Sequence, residues 1–240
     1  MVVKSQLKYI KSLQQKKFRN THNRFVAEGL KTVSELLGSG CKAETLMTTD
    51  VALSGISGQS TQLISRQQMA QISALKNPSV VLGVFEIPKP KDVDYSDWVL
   101  ALDSIRDPGN MGTIIRLCVW FGISHLLCSP YTVDAYNPKV LQATMGSIAR
   151  VNLVYTDLTV VLKSAPVPVY GAFMDGDSLY ETGLPKNGIL VLCNEARGIS
   201  KEVSGLVGKK VGIPQYGKPT AESLNVATAT AILLHEIRRA

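Results

Sequence analysis

"WVLALDSIRDPGNMGTIIRLCVWFG", residues 98–122, begins as an apolar run, turns through a polar loop with proline and glycine, and ends in a helical pattern. Val99–Leu102 is apolar at every position, which predicts a strand buried on both faces. In the second half Met111, Ile114, Ile115, Cys118 and Phe121 recur at helical spacing as a buried stripe. Arg116 falls about 200° around from Ile114 at ~100° per residue, so it lies off the core and near the loop. The same alternation recurs downstream: "HLLCS" into "PKVLQATMG", "RVNLVY" into "LTVVLKSA", "VPVYGAFM", "GILVLCN" into "KEVSGLVG", and "KVGIP" into a final helix. Short apolar strands alternating with helices predict an α/β fold, a mostly parallel sheet with helices on both faces.

In such a sheet, ligands bind beyond the carboxyl ends of the strands. That rule singles out three loops, at residues 104–116, 192–200 and 213–225. The first, "SIRDPGNMGTIIR", carries Asn110 and fits neither G-x-G-x-x-G nor G-x-x-x-x-G-K-[ST], which argues against a dinucleotide or P-loop enzyme. The second, "LCNEARGIS", sets Asn194, Glu195 and Arg197 at a strand end. The third leads into "AESLNVATATAILLHEI", residues 221–237, where Leu224, Ala227, Ala231, Leu234 and Ile237 form an apolar face. Ser223 and Asn225 at its start either cap unpaired N–H groups or face a ligand. Asn110, Arg116, Glu195, Ser223 and Asn225, gathered on one sheet edge, exceed what caps and turns require.

With 240 residues and 45% hydrophobic content, the chain can bury a real core in one or two domains. It has no run of ~18 apolar residues, and "MVVKSQLKYIKS" lacks the apolar centre of a secretory signal. A soluble, cytoplasmic protein is expected. Cys41, Cys118, Cys128 and Cys193 show no C-x-x-C spacing, and His22, His125 and His235 stand far apart, so packing thiols and metal-free chemistry are expected. The net charge of +7 is concentrated early: Lys4, Lys8, Lys11, Lys16, Lys17 and Arg19 precede any acidic residue, and Arg24 follows. Beside Tyr9, Phe18 and Phe25, that segment is either a solvated face or a surface for RNA with stackable bases. Residues 1–87 mix helical and strand patterns as a small α/β unit, and "PKPKDVDYSD", residues 88–97, reads as a linker.

"DPGNMGTIIRLCVWFG", "LVLCNEARGIS" and "IPQYGKPTAESLNVATATAILLHE" resemble, in order and spacing, the three motifs of the SpoU (TrmH-like) branch of the SPOUT RNA methyltransferases. The resemblance covers residues 98–240, and the block 1–87 is similar to the L30e-like substrate-binding domain of many ribosomal-RNA members. It implies a catalytic domain whose carboxyl-terminal part is threaded as a trefoil knot, against the usual rule. It also implies bent S-adenosylmethionine held by the knot loops, a homodimer, and methylation of a ribose 2'-hydroxyl. Ribosomal RNA is favoured; transfer RNA, or a catalytically silent RNA-binding or ribosome-assembly role, is the alternative. By the same resemblance Arg116, Asn110, Glu195, Ser223 and Asn225 are catalytic. Thr144, Gly146, Leu192, Cys193, Asn194, Gly198, Ile213, Gln215, Ser223, Leu224 and Asn225 hold the cofactor. Lys16, Lys17, Arg19, Arg24 and Arg116 are the residues expected to meet RNA. Cys193 departs from a common glycine and Gln215 from a common methionine. A ribose hydroxyl must lose its proton as it attacks a methyl sulfonium, so Arg116 acts either as base or as a clamp on the target phosphate.

Overall fold

The computed structural model describes residues 3–194, 198–217 and 223–239. The chain forms two units, Met1–Lys89 with Asp134–Ala149, and Pro90–Val133 with Arg150–Ala240.

The first unit runs α1 (Lys4–Ser12), α2 (Lys16–His22), β1 (Arg24–Glu28), α3 (Leu30–Gly38), β2 (Ala43–Thr48), the short strands β3 (Gly55–Ile56), β4 (Gln59–Ser60) and β5 (Gln62–Leu63), α4 (Arg66–Ile72) and β6 (Val81–Glu86). Its main sheet has the order β1-β6-β2-β5, with β1 and β2 antiparallel to β6. Leu7 and Ile10 of α1 enter a core with Val26, Met47, Leu82 and Val84. Ser65 and Gln68 exchange side-chain and backbone bonds at the start of α4, a capping box that fixes where this helix begins.

The second unit opens with β7 (Val99–Asp103), α5 (Pro108–Trp120) and β8 (His125–Cys128). The chain then rejoins the first unit for α6 (Pro138–Thr144), a segment that the sequence pattern assigned to the catalytic stretch. Buried contacts explain the assignment: the Tyr136 ring lies 4.8 Å from that of Phe25, and Asp134 is ion-paired with Arg19. The second unit resumes with β9 (Asn152–Tyr155), α7 (Leu158–Lys163), β10 (Val169–Ser178), β11 (Ile189–Cys193), α8 (Lys201–Ser204), β12 (Lys209–Gly212) and α9 (Val226–Arg239).

Its six strands lie in the order β12-β10-β11-β7-β8-β9, and each neighbouring pair is parallel. Val99, Ala101, Ile189 and Val191 project to one face, against Leu158 and Leu162 of α7 and Val203 of α8. Helix α9 packs on α5 and β11, so the sheet is covered on both faces and its strands need no polar alternation. From β7 the chain steps outward through β8 and β9, then continues on the other side of β7. The order therefore reverses between β7 and β11, where α/β sheets open a ligand crevice.

Local chemistry fixes α5: the Asp107 carboxylate accepts the Asn110 N–H at 2.7 Å, and Pro108 occupies the first turn. Cys118 and Cys128 are fully buried, and burial raises both thiols, Cys118 to about 12, which leaves them inert packing groups. Among the described residues, no helix is long and apolar enough to cross a membrane.

Candidate active site

At the carboxyl ends of β10, β11 and β12 lies a cavity of about 720 Å³. Phe173, Leu192, Ile199, Val211 and Leu233 give it apolar walls, and Ser178, Asn194, Gln215 and Ser223 add polar groups. No charged side chain lines it among the described residues. Two glycines shape the wall. A Cβ on Gly212 would lie 2.8 Å from the Phe173 carbonyl oxygen, and one on Gly176 would lie 2.5 Å from the Val211 carbonyl carbon. Only glycine lets β10 and β12 approach this closely where their register shifts, between Ala172 and Asp177.

The lining includes Leu192, Cys193, Asn194, Gly198, Ile213, Gln215, Ser223 and Leu224, eight of the positions expected to hold a cofactor. Thr144, Gly146 and Asn225 do not line it. Thr144 is fully buried in the first unit with its hydroxyl on the Leu141 carbonyl, and a Cβ on Gly146 would lie 2.7 Å from that of Glu35. Packing on α3, at a φ of +93°, accounts for that glycine. Glu195 and Arg197 lie outside the described residues.

Asn225 caps a helix and also bonds outside it. Its Oδ1 accepts the N–H groups of Ala227 at 3.0 Å and Thr228 at 3.3 Å, which caps α9. Its Nδ2 donates to Asn110 Oδ1 at 2.9 Å, so the cap also ties the start of α9 to the first turn of α5. Ser223, two residues earlier, faces the cavity. Arg116 stands exposed on α5 and makes no hydrogen bond or ion pair among the described residues. Among the described residues the arrangement offers an apolar, uncharged cleft suited to a heteroaromatic ring with a polar tail, and an exposed cation on α5 suited to an anionic substrate.

One residue escaped the sequence reading. Asp103, the last residue of β7, is 4% exposed; it accepts the Ser200 N–H at 2.8 Å and the Ser104 hydroxyl at 3.1 Å. Its only sequence signal is a lone acid closing the apolar run "VLALD".

The basic segment of the first unit needs a correction. Arg19 is 2% exposed, pairs with Asp134 at 2.5 Å and donates to the carbonyls of Leu13 and Gln14, so it is a core residue out of reach of RNA. Arg24 is half-buried between Glu44 at 2.7 Å and Glu86 at 3.1 Å. Phe25 is fully buried and stacks on Phe85, which removes it as a platform for bases. Lys16 and Lys17 are exposed, without ion pairs among the described residues.

Residues 97–235 match the SpoU rRNA Methylase family, and residues 4–83 match the MRM3-like substrate binding domain. The chain belongs to the SpoU rRNA methylase family. It is 30% identical to the 23S rRNA (guanosine(2553)-2'-O)-methyltransferase RlmP of Bacillus subtilis (strain 168), over 95% of this chain and 94% of that one. Among solved structures, a TrmH-family RNA methyltransferase structure from Porphyromonas gingivalis superposes with a TM-score of 0.92 at 38% identity, covering 100% of this chain and 99% of the other. The AdoMet-bound rRNA methyltransferase from Sinorhizobium meliloti gives 0.86 at 31%, covering 100% and 97%. Within this SpoU chain the first and third motif loops meet through the Asn110–Asn225 bond.

Proposed function

We propose that the chain transfers a methyl group from S-adenosylmethionine to a ribose 2'-hydroxyl of RNA, with ribosomal RNA as the favoured substrate. The observation that carries this reading is the strand-end cavity, uncharged among the described residues, coupled through Asn225 and Asn110 to the helix that bears the exposed Arg116. Its volume is in the range of small-molecule sites, ~300–1,000 Å³. Its apolar walls suit an adenine ring, and its polar groups suit the ribose and amino-acid ends. Leu192, Cys193, Asn194, Gly198, Ile213, Gln215, Ser223 and Leu224 would hold the donor. Bound there, S-adenosylmethionine supplies an electrophilic methyl group on a sulfonium that departs as a neutral thioether.

The chain's own residues orient and align. Asn225 fixes the loop carrying Ser223 and Leu224 against α5. Arg116 is the phosphate clamp: a guanidinium keeps its charge and presents a planar fork of donors that matches a phosphate, so it can hold the ribose hydroxyl in line with the methyl group. The first unit serves as the RNA-binding domain, with Lys16 and Lys17 on its outer surface, and the match to an MRM3-like substrate binding domain supports this. The rRNA activity in the name of the Bacillus subtilis relative supports ribosomal RNA over transfer RNA.

The reading includes a homodimer in the cytoplasm and a carboxyl-terminal segment threaded as a trefoil knot. The path of that segment supports the knot: β12 lies at the sheet edge beside β10, yet the following helix returns to pack on β11 and α5. The test is transfer of labelled methyl from S-adenosylmethionine to unmodified ribosomal RNA, with the product mapped for 2'-O-methylation. Cofactor binding without transfer to any RNA would overturn the enzymatic reading and leave an RNA-binding or assembly protein.

A further inference from the structure

The loop that follows β11 supplies Asn194, Gly198 and Ile199 to the cavity wall and carries Glu195. Both of its stems close on one residue. On the incoming side, Cys193 pairs in register with Asp103 across the β11–β7 ladder. On the outgoing side, the Ser200 N–H donates to Asp103 Oδ2 at 2.8 Å. Between the stems, the Gly198 N–H donates back to the Asn194 carbonyl at 3.0 Å, which ties the two sides together.

The same carboxylate also governs the first motif loop. Asp103 Oδ1 accepts the hydroxyl of Ser104, whose φ of +60° is unusual for a residue with a side chain. A buried polar chain holds that conformation: the Ser104 N–H donates to Ser129 Oγ at 2.9 Å, Ser129 Oγ lies 3.1 Å from Thr132 Oγ1, and Thr132 Oγ1 donates to the Leu102 carbonyl at 3.0 Å. Ser104 opens the loop that leads to Asp107, Asn110 and Arg116. A buried carboxylate held by two donors is positioned by them, and removing it leaves both donors without that partner. A strained backbone kept in place by such a network marks a positioned loop.

We propose that Asp103 is a positioning residue of the methyl-transfer site: from the switch point of the sheet, its carboxylate sets the donor-side residues Gly198, Ile199 and Ser200 and the acceptor-side loop 104–107 in one fixed relation. It touches neither reactant. It acts through Gly198 and Ile199 on the cavity wall and through the turn that aims α5. The proposal rests on the methyltransferase reading, because only a two-substrate reaction makes the relation of the two loops matter to rate.

The experiment compares Asp103→Ala, Asp103→Asn and Ser200→Pro with the unaltered chain. Single-turnover transfer is measured at saturating labelled S-adenosylmethionine on unmodified ribosomal RNA, together with cofactor Kd and melting temperature. Ser200 has φ −58°, which proline shares, so Ser200→Pro deletes the N–H that reaches Asp103 while suiting the local backbone. Loop misplacement on the ångström scale costs on the order of 100-fold in rate, the loss expected for Asp103→Ala and Ser200→Pro in molecules that remain folded. Asp103→Asn can accept from Ser200 with its oxygen and donate to the Ser104 hydroxyl with its nitrogen, so it should recover most of the rate. A folded Asp103→Ala or Ser200→Pro protein turning over at the unaltered rate would overturn the proposal, as would an Asn variant no better than Ala. If the unaltered chain itself transfers no methyl group, the methyltransferase reading falls first.

Discussion

In the first unit, Arg19 commits its guanidinium to the Asp134 carboxylate and two main-chain carbonyls, whereas in the second unit Arg116 stands exposed on α5 with no hydrogen bond or ion pair among the described residues. A guanidinium offers five donors in a fixed fork. In Arg19 the protein itself takes up most of that fork, and the result is a buried cross-link. In Arg116 no described residue takes up the fork. What separates a structural from a functional arginine is thus the fate of its donors, which charge counting along a segment does not reveal.

The sharpest way to break this comparison is to remove each side chain in turn. Arg116→Ala should reduce single-turnover methyl transfer to background. An exposed helix position away from caps and core changes stability by only about 0.5 kcal/mol, and cofactor affinity by calorimetry should be unchanged, since Arg116 does not line the cavity. A variant that still transfers methyl at the normal rate would show that the free cation has no role in the reaction. Arg19→Met should do the reverse. Breaking one side of a buried pair costs about 3–5 kcal/mol, read as a large drop in the urea midpoint, while RNA affinity per folded molecule should hold. Loss of RNA binding without loss of stability would return Arg19 to the RNA surface.

Arg19 also shows where sequence reading ends. Its partner Asp134 is 115 residues away, in a segment whose pattern, "PKVLQATMG", gives no sign that it packs with the first unit. The strand–helix alternation from residue 98 onward was legible because each element states itself locally, by an unbroken apolar run or a three-and-four spacing. Helix α2 and strand β1, in "KKFRNTHNRFVAE", were not, because polar residues dominate the helix and charged residues bound the strand, so tertiary packing decides both. The site divides the same way. Asn110 and Asn225 are also 115 residues apart, yet each sits at a strand end or helix start, and the rule for parallel sheets puts both on one edge. Asp103 was missed because its role depends on Ser200, and no local spacing predicts that bond.

A smaller effect separates the two bonds that Asn225 makes, to its own helix and to Asn110. Serine caps helices about as well as asparagine, while alanine costs about 1 kcal/mol. A serine hydroxyl at 225 is too short to reach Asn110. Asn225→Ser should therefore keep the melting temperature of the parent and lose methyl-transfer rate, whereas Asn225→Ala should lose both. Equal single-turnover rates in Asn225→Ser and the parent would leave the residue as a cap and nothing more.

The smallest expected effect tests the same rule on the surface of the first unit. Lys16 and Lys17 are exposed without ion pairs among the described residues, whereas Arg24 is half-buried between two glutamates. If free donors mark the RNA face, Lys16→Gln with Lys17→Gln should lower the salt dependence of RNA binding, because each phosphate left without its lysine takes away about 0.7–0.9 of slope in log K against log salt. Two such phosphates correspond to a change of roughly 1.4–1.8. Arg24→Gln should change the slope far less, because Glu44 and Glu86 already offset its charge, and should cost at most about 1 kcal/mol of stability. Titrations of unmodified ribosomal RNA at several salt concentrations measure both variants directly. A larger slope change from Arg24→Gln than from the lysine pair would show that ion-paired charge still reaches the RNA, and the rule drawn from Arg19 and Arg116 would not extend to this surface.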